Sequence, residues 1–254
     1  MELECIIYEK QNGVAIIRLN RPQVLNAMNK RLWLDLKAAL DDARRDAQIK
    51  VVVITGEGRA FSTGADLKES KTRSIEDYRD YLVSLQEVSR AVIRFEKPTI
   101  AAINGYAIGS GYELALACDL RIAAEEARIG SPEAKVTSSV TGGAFRLLQD
   151  LVGPGKAREL LFTGEYINGT EALRIGLVNR SVPLDKLMEE VMAMAEAIAA
   201  NSAFSLKVIK KGLNMARGEV SLEALMDFEV EACLACVSTN ERQASLANFE
   251  NRKQ

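Results

Sequence analysis

The sequence predicts an α/β protein, with a mostly parallel sheet followed by a helical C-terminal part. Three observations predict it. Short β-branched runs alternate with longer stretches of helical apolar spacing, the pattern of strands joined by crossover helices. From about Pro183 the spacing is helical almost throughout. No apolar run approaches the roughly 20 residues of a membrane span, and no low-complexity segment or long linker divides the 254 residues.

Val14 to Leu19 (VAIIRL) is short and β-branched, hence a strand. Asn29 to Arg45 predicts a helix, because Leu32, Leu36, Ala39, Leu40 and Ala43 form one apolar stripe. Val51 to Ile54 is a buried-type strand, closed by the turn Thr55-Gly56-Glu57-Gly58. Residues 62–70 are polar and contain glycine, which predicts a loop, and Ile75 to Phe95 returns to helical spacing. Thr99 to Ile103 is another short strand, ended by Asn104-Gly105. The glycine-rich segment 105–111 then leads into an apolar helical run, Tyr112 to Cys118, and Asp119 to Ala123 is a strand. Helical spacing recurs over 187–200, 204–217 and 221–237. Residues 1–195 are expected to form the core that carries the site, and 196–254 a helical module.

Composition narrows the function. The chain is 48% hydrophobic and 27% charged, ordinary for a globular protein with a large core. A net charge of −2 and a pI near 5.6 argue against a nucleic-acid binder, which usually has a pI above about 9. There is no histidine. That excludes a Ser-His-Asp triad, a Cys-His dyad, histidine metal sites and a histidine general base. Carboxylates tuned by burial are the obvious acid–base groups left. Four cysteines, Cys5, Cys118, Cys233 and Cys236, make no dense disulfide framework, so a reducing cytoplasm is expected. The N-terminal MELECIIYEKQNG lacks the charged-then-apolar order of a secretory signal. Cys233 and Cys236 form a CxxC inside a helical pattern, which predicts core packing.

Three segments carry chemistry. In Phe61-Ser62-Thr63-Gly64-Ala65-Asp66-Leu67-Lys68-Glu69, small residues allow a ligand close to the amides of Gly64 and Ala65; a surface loop with a turn glycine is the alternative. In Asn104 to Leu114, Gly105, Gly109 and Gly111 precede a helix whose first amides point outward. That is the physics of an oxyanion or anion site. The spacing is not GxGxxG, so a dinucleotide reading is poor, and close helix–strand packing also favours glycine. Glu113 lies within an apolar helical run and Glu133 follows Ser131-Pro132. Burial would raise a carboxyl pKa and fit it for acid–base work near neutrality.

Together these segments resemble the crotonase superfamily, the enoyl-CoA hydratase/isomerase family. The resemblance runs through Leu19-Asn20-Arg21-Pro22, Leu25-Asn26-Ala27-Met28, Phe61 to Leu67, Lys97 to Gly105, Gly109 to Asp119, Gly130-Ser131-Pro132-Glu133, Leu161-Phe162-Thr163-Gly164 and Gly176-Leu177-Val178-Asn179. It spans about residue 5 to the C-terminus, in the family's order and spacing. The resemblance implies a crotonase (ClpP-like) spiral of ββα units with a C-terminal helical trimerisation module. It also implies a homotrimer or homohexamer acting on an acyl-CoA thioester in fatty acid metabolism. Coenzyme A would arrive as part of the substrate, and no other cofactor, metal, nucleic acid or membrane is expected.

The resemblance assigns the oxyanion hole to the amides of Ala65 and Ser110, with Ser110 in place of the usual glycine. It assigns catalysis to Glu113 and Glu133. Glu133 would protonate the substrate α-carbon, and Glu113 would activate the water that attacks the β-carbon. Both carboxylates favour an enoyl-CoA hydratase, a lyase, over an isomerase or acyl-CoA hydrolase of the same superfamily. Coenzyme A would lie along Arg21, Ala27, Ala65, Asp66, Leu67, Lys68 and Gly109, with Lys68 near a phosphate. One stretch departs from the pattern. A typical hydratase follows this glutamate with three apolar residues and then Gly-Thr-Ile-Pro-Gly-Ala-Gly-Gly-Thr-Gln-Arg-Leu. Here residues 134–147 read AKVTSSVTGGAFRL, one residue shorter. That change at 134–141 points to altered water placement or a different acyl group, cyclic or aromatic.

Overall fold

The structure, a computed structural model, describes residues 3–70, 74–218, 220–239 and 242. The chain opens with a hairpin, β1 (Ile6–Gln11) and β2 (Val14–Leu19). Its two-residue turn, Asn12-Gly13, has φ of 51° and 78°, the doubly left-handed geometry that matches strand twist. Helix α1 (Lys30–Arg45) follows, capped by the Asn29 side chain, which accepts from the Leu32 amide. Its expected stripe, Leu32, Leu36, Ala39, Leu40 and Ala43, is buried. Then come β3 (Val51–Gly56), β4 (Ala60–Ser62), the single turn α2 (Leu67–Ser70) and α3 (Ile75–Ile93). A capping box of Ser74 and Asp77 starts α3.

The unit recurs as β5 (Thr99–Ile103), β6 (Tyr106–Ile108) and α4 (Ser110–Ala117), then β7 (Leu120–Ala124) and β8 (Arg128–Gly130). Helices α5 (Ala144–Thr163) and α6 (Gly169–Arg174) come next, and α5 breaks at Gly153 ahead of Pro154. Strand β9 (Arg180–Val182) precedes α7 (Leu187–Ala199), α8 (Ala203–Ala216) and α9 (Leu222–Val237). Successive strand pairs feed two sheets. The large sheet runs β1-β2-β3-β5-β7-β9, parallel after the first hairpin; the small one runs β4-β6-β8, all parallel. This is the spiral of ββα units that the resemblance implied.

Strand alternation gives the large sheet two apolar faces. Ala15, Ile17, Leu19, Val52, Ile54, Ala101 and Ile103 join the main core with α1, α4 and Phe61. Val14, Ile16, Val51, Val53, Ile100, Ala102 and Ile122 face Leu187, Val191, Ala195 and Ala199 of α7. Each large aliphatic side chain so buried contributes about 1.5–3 kcal/mol relative to exposure. Helix α7 crosses residue 195 and belongs to this packing, with α8 and α9 beyond it. Lys210 ties α8 to the sheet: its ammonium donates to the Lys97 carbonyl (3.0 Å) and pairs with Asp119 (2.6 Å).

One expectation is corrected here. The CxxC lies on α9, but Cys233 is exposed and Cys236 only partly covered, because that helix buries no residue in this chain. Large apolar side chains stand exposed on α8 and α9, among them Ile209, Leu213, Leu222, Met226, Val230 and Leu234. Among the described residues, no single helix is long and apolar enough to cross a membrane.

Candidate active site

The site forms where the small sheet meets the N-terminus of α4. The loop from Arg21 to Met28 is held against β4 by Asn26, which is fully buried. Its side-chain oxygen accepts from the Arg21 amide (2.8 Å), and its amide group donates to the carbonyls of Glu57 (3.0 Å) and Ala60 (2.7 Å). Ser62 answers from β4, donating to the Asn26 carbonyl (2.8 Å) and accepting from the Gly64 amide (3.1 Å). These buried polar groups are satisfied, so the network fixes the loop.

Two amides are left facing the cavity. Met28 donates to the Gly64 carbonyl (2.7 Å) and accepts from the Asp66 amide (3.1 Å), a parallel bridge opposite Ala65. Extended backbone alternates, so the Ala65 N–H turns the other way. Ser110 is the first residue of α4, and the first intrahelical bond runs from the Glu113 amide to the Gly109 carbonyl (2.9 Å). Its own N–H is one of the helix's orphan donors. Neither amide has an acceptor among the described residues. Gly64 brings the two segments together. Its φ is +88°, and a Cβ there would lie 2.8 Å from the Ile108 carbonyl oxygen and 2.9 Å from the Ser110 nitrogen. The α4 dipole adds partial positive charge at Ser110.

Glu113 and Glu133 line the same cavity, a space of about 600 Å³ whose wall also includes Ala27, Ala65, Asp66, Lys68, Gly109, Ser110 and Thr141. Glu113, on the first turn of α4, is 4% exposed. Burial pushes its pKa up; hydrogen bonds from Thr141 oppose this, and the nearby Glu133 charge adds to it. Its Oε1 accepts from the Thr141 amide (2.5 Å) and its Oε2 from the Thr141 hydroxyl (2.7 Å). Glu133 opens a short 3-10 turn, Glu133–Val136, closed by Thr137 at a left-handed φ of 55°. The Ser131 hydroxyl donates to Glu133 Oε2. Glu133 Oε1 comes within 2.9 Å of where a Cβ on residue 109 would stand. The φ of 54° with ψ of −124° is what favours glycine at 109, while a side chain there would push the Glu133 carboxylate aside.

The residues expected along coenzyme A divide. Ala27, Asp66 and Lys68 line the cavity. Arg21 is not among the residues that line this cavity. Its guanidinium is taken up internally, donating to the Ala27 carbonyl (2.6 Å) and pairing with Asp66 (2.9 Å). Burial alone would raise the Asp66 pKa, but the Arg21 pair and the Lys68 amide outweigh it and the net shift is downward. Lys68 is exposed and available to an anion. Leu67 opens α2, and its side chain lies outside the described residues. Sequence reasoning missed the clamp by Thr141, the support of Glu133 by Ser131 and the Asn26 network. Asn26 lay inside a quoted motif; the Thr141 contact spans 28 positions and left no local signal.

The arrangement can hold a developing negative oxygen on two fixed amides beside a pair of carboxylates. A family model described as Enoyl-CoA hydratase/isomerase matches residues 9–254. The chain is 37% identical to the short-chain-enoyl-CoA hydratase of Clostridium acetobutylicum, covering 100% of this chain and 97% of that protein. It is 36% identical to the crotonyl-CoA hydratase of Syntrophomonas wolfei, covering 100% and 98%. The solved enoyl-CoA hydratase from Bacillus anthracis superposes with a TM-score of 0.95, at 34% identity over 98% of this chain and 97% of that one. Shared sequence over the whole length, together with the two-sheet spiral, places the chain in the enoyl-CoA hydratase/isomerase family of the crotonase superfamily.

Proposed function

We propose that the protein is an enoyl-CoA hydratase, adding water across the 2,3-double bond of an acyl-CoA thioester. The observation that carries this reading is the pair Glu113 and Glu133 lining one cavity with the amides of Ala65 and Ser110. The thioester oxygen would sit between those amides. Water adds to the β-carbon, charge moves onto that oxygen as an enolate, and the α-carbon takes a proton. Fixed amides stabilise the enolate without reorganising, and losing one such donor costs roughly 3–4 kcal/mol. Glu113 would take the proton from water and Glu133 deliver one to the α-carbon. Coenzyme A would run past Ala27, Asp66 and Lys68, with Arg21 fixing the Asp66 carboxylate.

The chain is proposed to act as a homotrimer or homohexamer. Exposed apolar residues on α8 and α9 support that, since a further copy would bury them. The test of the activity is a panel of enoyl-CoA thioesters followed by loss of the conjugated enoyl absorbance. Hydration of at least one member is expected. Absence of hydration across short, long, cyclic and aromatic acyl groups would overturn it.

A further inference from the structure

Thr141 stands in the stretch where this chain departs from the typical hydratase sequence, just before the paired glycines Gly142-Gly143. There the typical string has an alanine, which has no hydroxyl. Here that hydroxyl is 2.7 Å from Glu113 Oε2, while the Thr141 amide is 2.5 Å from Oε1. Both oxygens of a nearly inaccessible carboxylate are therefore engaged by one residue. The two donors are not equivalent. A backbone N–H can only donate, so Oε1 stays an acceptor whatever the charge on Glu113. A hydroxyl can donate to a carboxylate or accept from a carboxylic acid by rotating.

We propose that the Thr141 hydroxyl is a positioning group for the reaction, orienting the Glu113 carboxylate and reversing its hydrogen bond when that carboxylate takes a proton from water. The proposal rests on the hydratase reading and names a device within it. As the water oxygen bonds to the β-carbon, one water proton passes to Glu113 Oε2. The π electrons of the double bond move through the α-carbon onto the thioester oxygen. The Thr141 hydroxyl, which donated to Oε2, turns and accepts from the new O–H. Collapse of the enolate takes a proton from neutral Glu133 to the α-carbon. One proton then returns from Glu113 to Glu133 through solvent, and the net change is one water added.

The surroundings make the hydroxyl matter. Burial opposes charge on Glu113, and so does Glu133 across the cavity whenever that carboxylate is itself charged. Helix α3 turns Tyr78, Tyr81, Leu82 and Leu85 to the cavity, and Asp66 and Lys68 also line it. The Thr141 donors are the groups that favour the charged form.

The test compares Thr141→Val, Thr141→Ser and the unaltered chain. The acidic limb of the kcat/KM profile is expected to move up by about one pH unit in Thr141→Val, and back in Thr141→Ser. Below that limb, turnover falls about tenfold in Thr141→Val, with KM nearly unchanged. In parallel, infrared titration reads the protonated carboxyl band that disappears in Glu113→Gln. It should titrate higher in Thr141→Val whether or not the thioester used is a good substrate. Unshifted limb and band in a folded Thr141→Val would overturn the proposal, as would a shift that serine fails to reverse. If no enoyl thioester is hydrated while the band still moves, the hydratase reading and the catalytic claim fail together. The hydroxyl's hold on Glu113 would then stand alone.

Discussion

Ser110 separates what a side chain does from what a backbone does. Its hydroxyl is not needed to bind an oxyanion; its N–H is. Proline is well tolerated at the first position of a helix, where the missing N–H has no intrahelical acceptor. Ser110→Pro should therefore leave α4 folded, as judged by thermal melting, and lower kcat by about 10²–10³. Ser110→Ala should cost far less. Glu113 makes a second prediction, about stability. Its folded pKa is raised above the ordinary 4.5, chiefly by burial. Between those values the folded chain holds more protons than the unfolded one, so stability falls as pH rises. Glu113→Gln should melt higher than the parent at neutral pH, and the gap should close below pH 4.5. The pairing of Arg21 with Asp66, 45 positions apart, was invisible from the sequence.

Among the elements, the central strands were legible and the small sheet was not. Residues 14–19, 51–54 and 99–103 are β-branched or alanine-rich and buried on both faces, so their runs are continuous. Strands β4, β6 and β8 have three residues each, too few to establish a period. Strand β1 was missed because only its first residue is fully buried and the rest is polar or exposed. Helix α5 was obscured by its break at Gly153-Pro154. The helix that matters most, α4, was legible because a glycine-rich entry leads into a run that is apolar apart from Glu113. Its far end holds a feature the sequence hid. Arg121 is buried there, donating to the carbonyls of Cys118 (2.6 Å) and Leu177 (2.8 Å), with no carboxylate among its acceptors in the described residues. Arg121→Met should leave those carbonyls unsatisfied and cost about 2–4 kcal/mol by denaturant unfolding.

At the scale of the whole molecule, the core closes within one chain but the C-terminal helices do not. The helical pattern of 204–217 and 221–237 was plain in the sequence, yet the spacing could not say which faces stay uncovered. Leu213 is 65% exposed and Met226 54% exposed, and neither belongs to the apolar clusters around the sheet. Placing aspartate at both should cost little in the single chain and destabilise any assembly that buries them. Sedimentation velocity is expected to show dissociation in Leu213→Asp/Met226→Asp. An unchanged sedimentation coefficient would remove these helices from the assembly.

The central claim is hydration on two amides and two carboxylates. It is tested most directly by turning over crotonyl-CoA in ¹⁸O-labelled heavy water and locating the isotopes. The account predicts a 3-hydroxyacyl-CoA with ¹⁸O on the β-carbon and one deuterium on the α-carbon. It predicts that Glu133→Gln slows this product's formation by about 10²–10⁴. A shifted double bond without ¹⁸O, a free acid with ¹⁸O in its carboxylate, or full turnover in Glu133→Gln would contradict it.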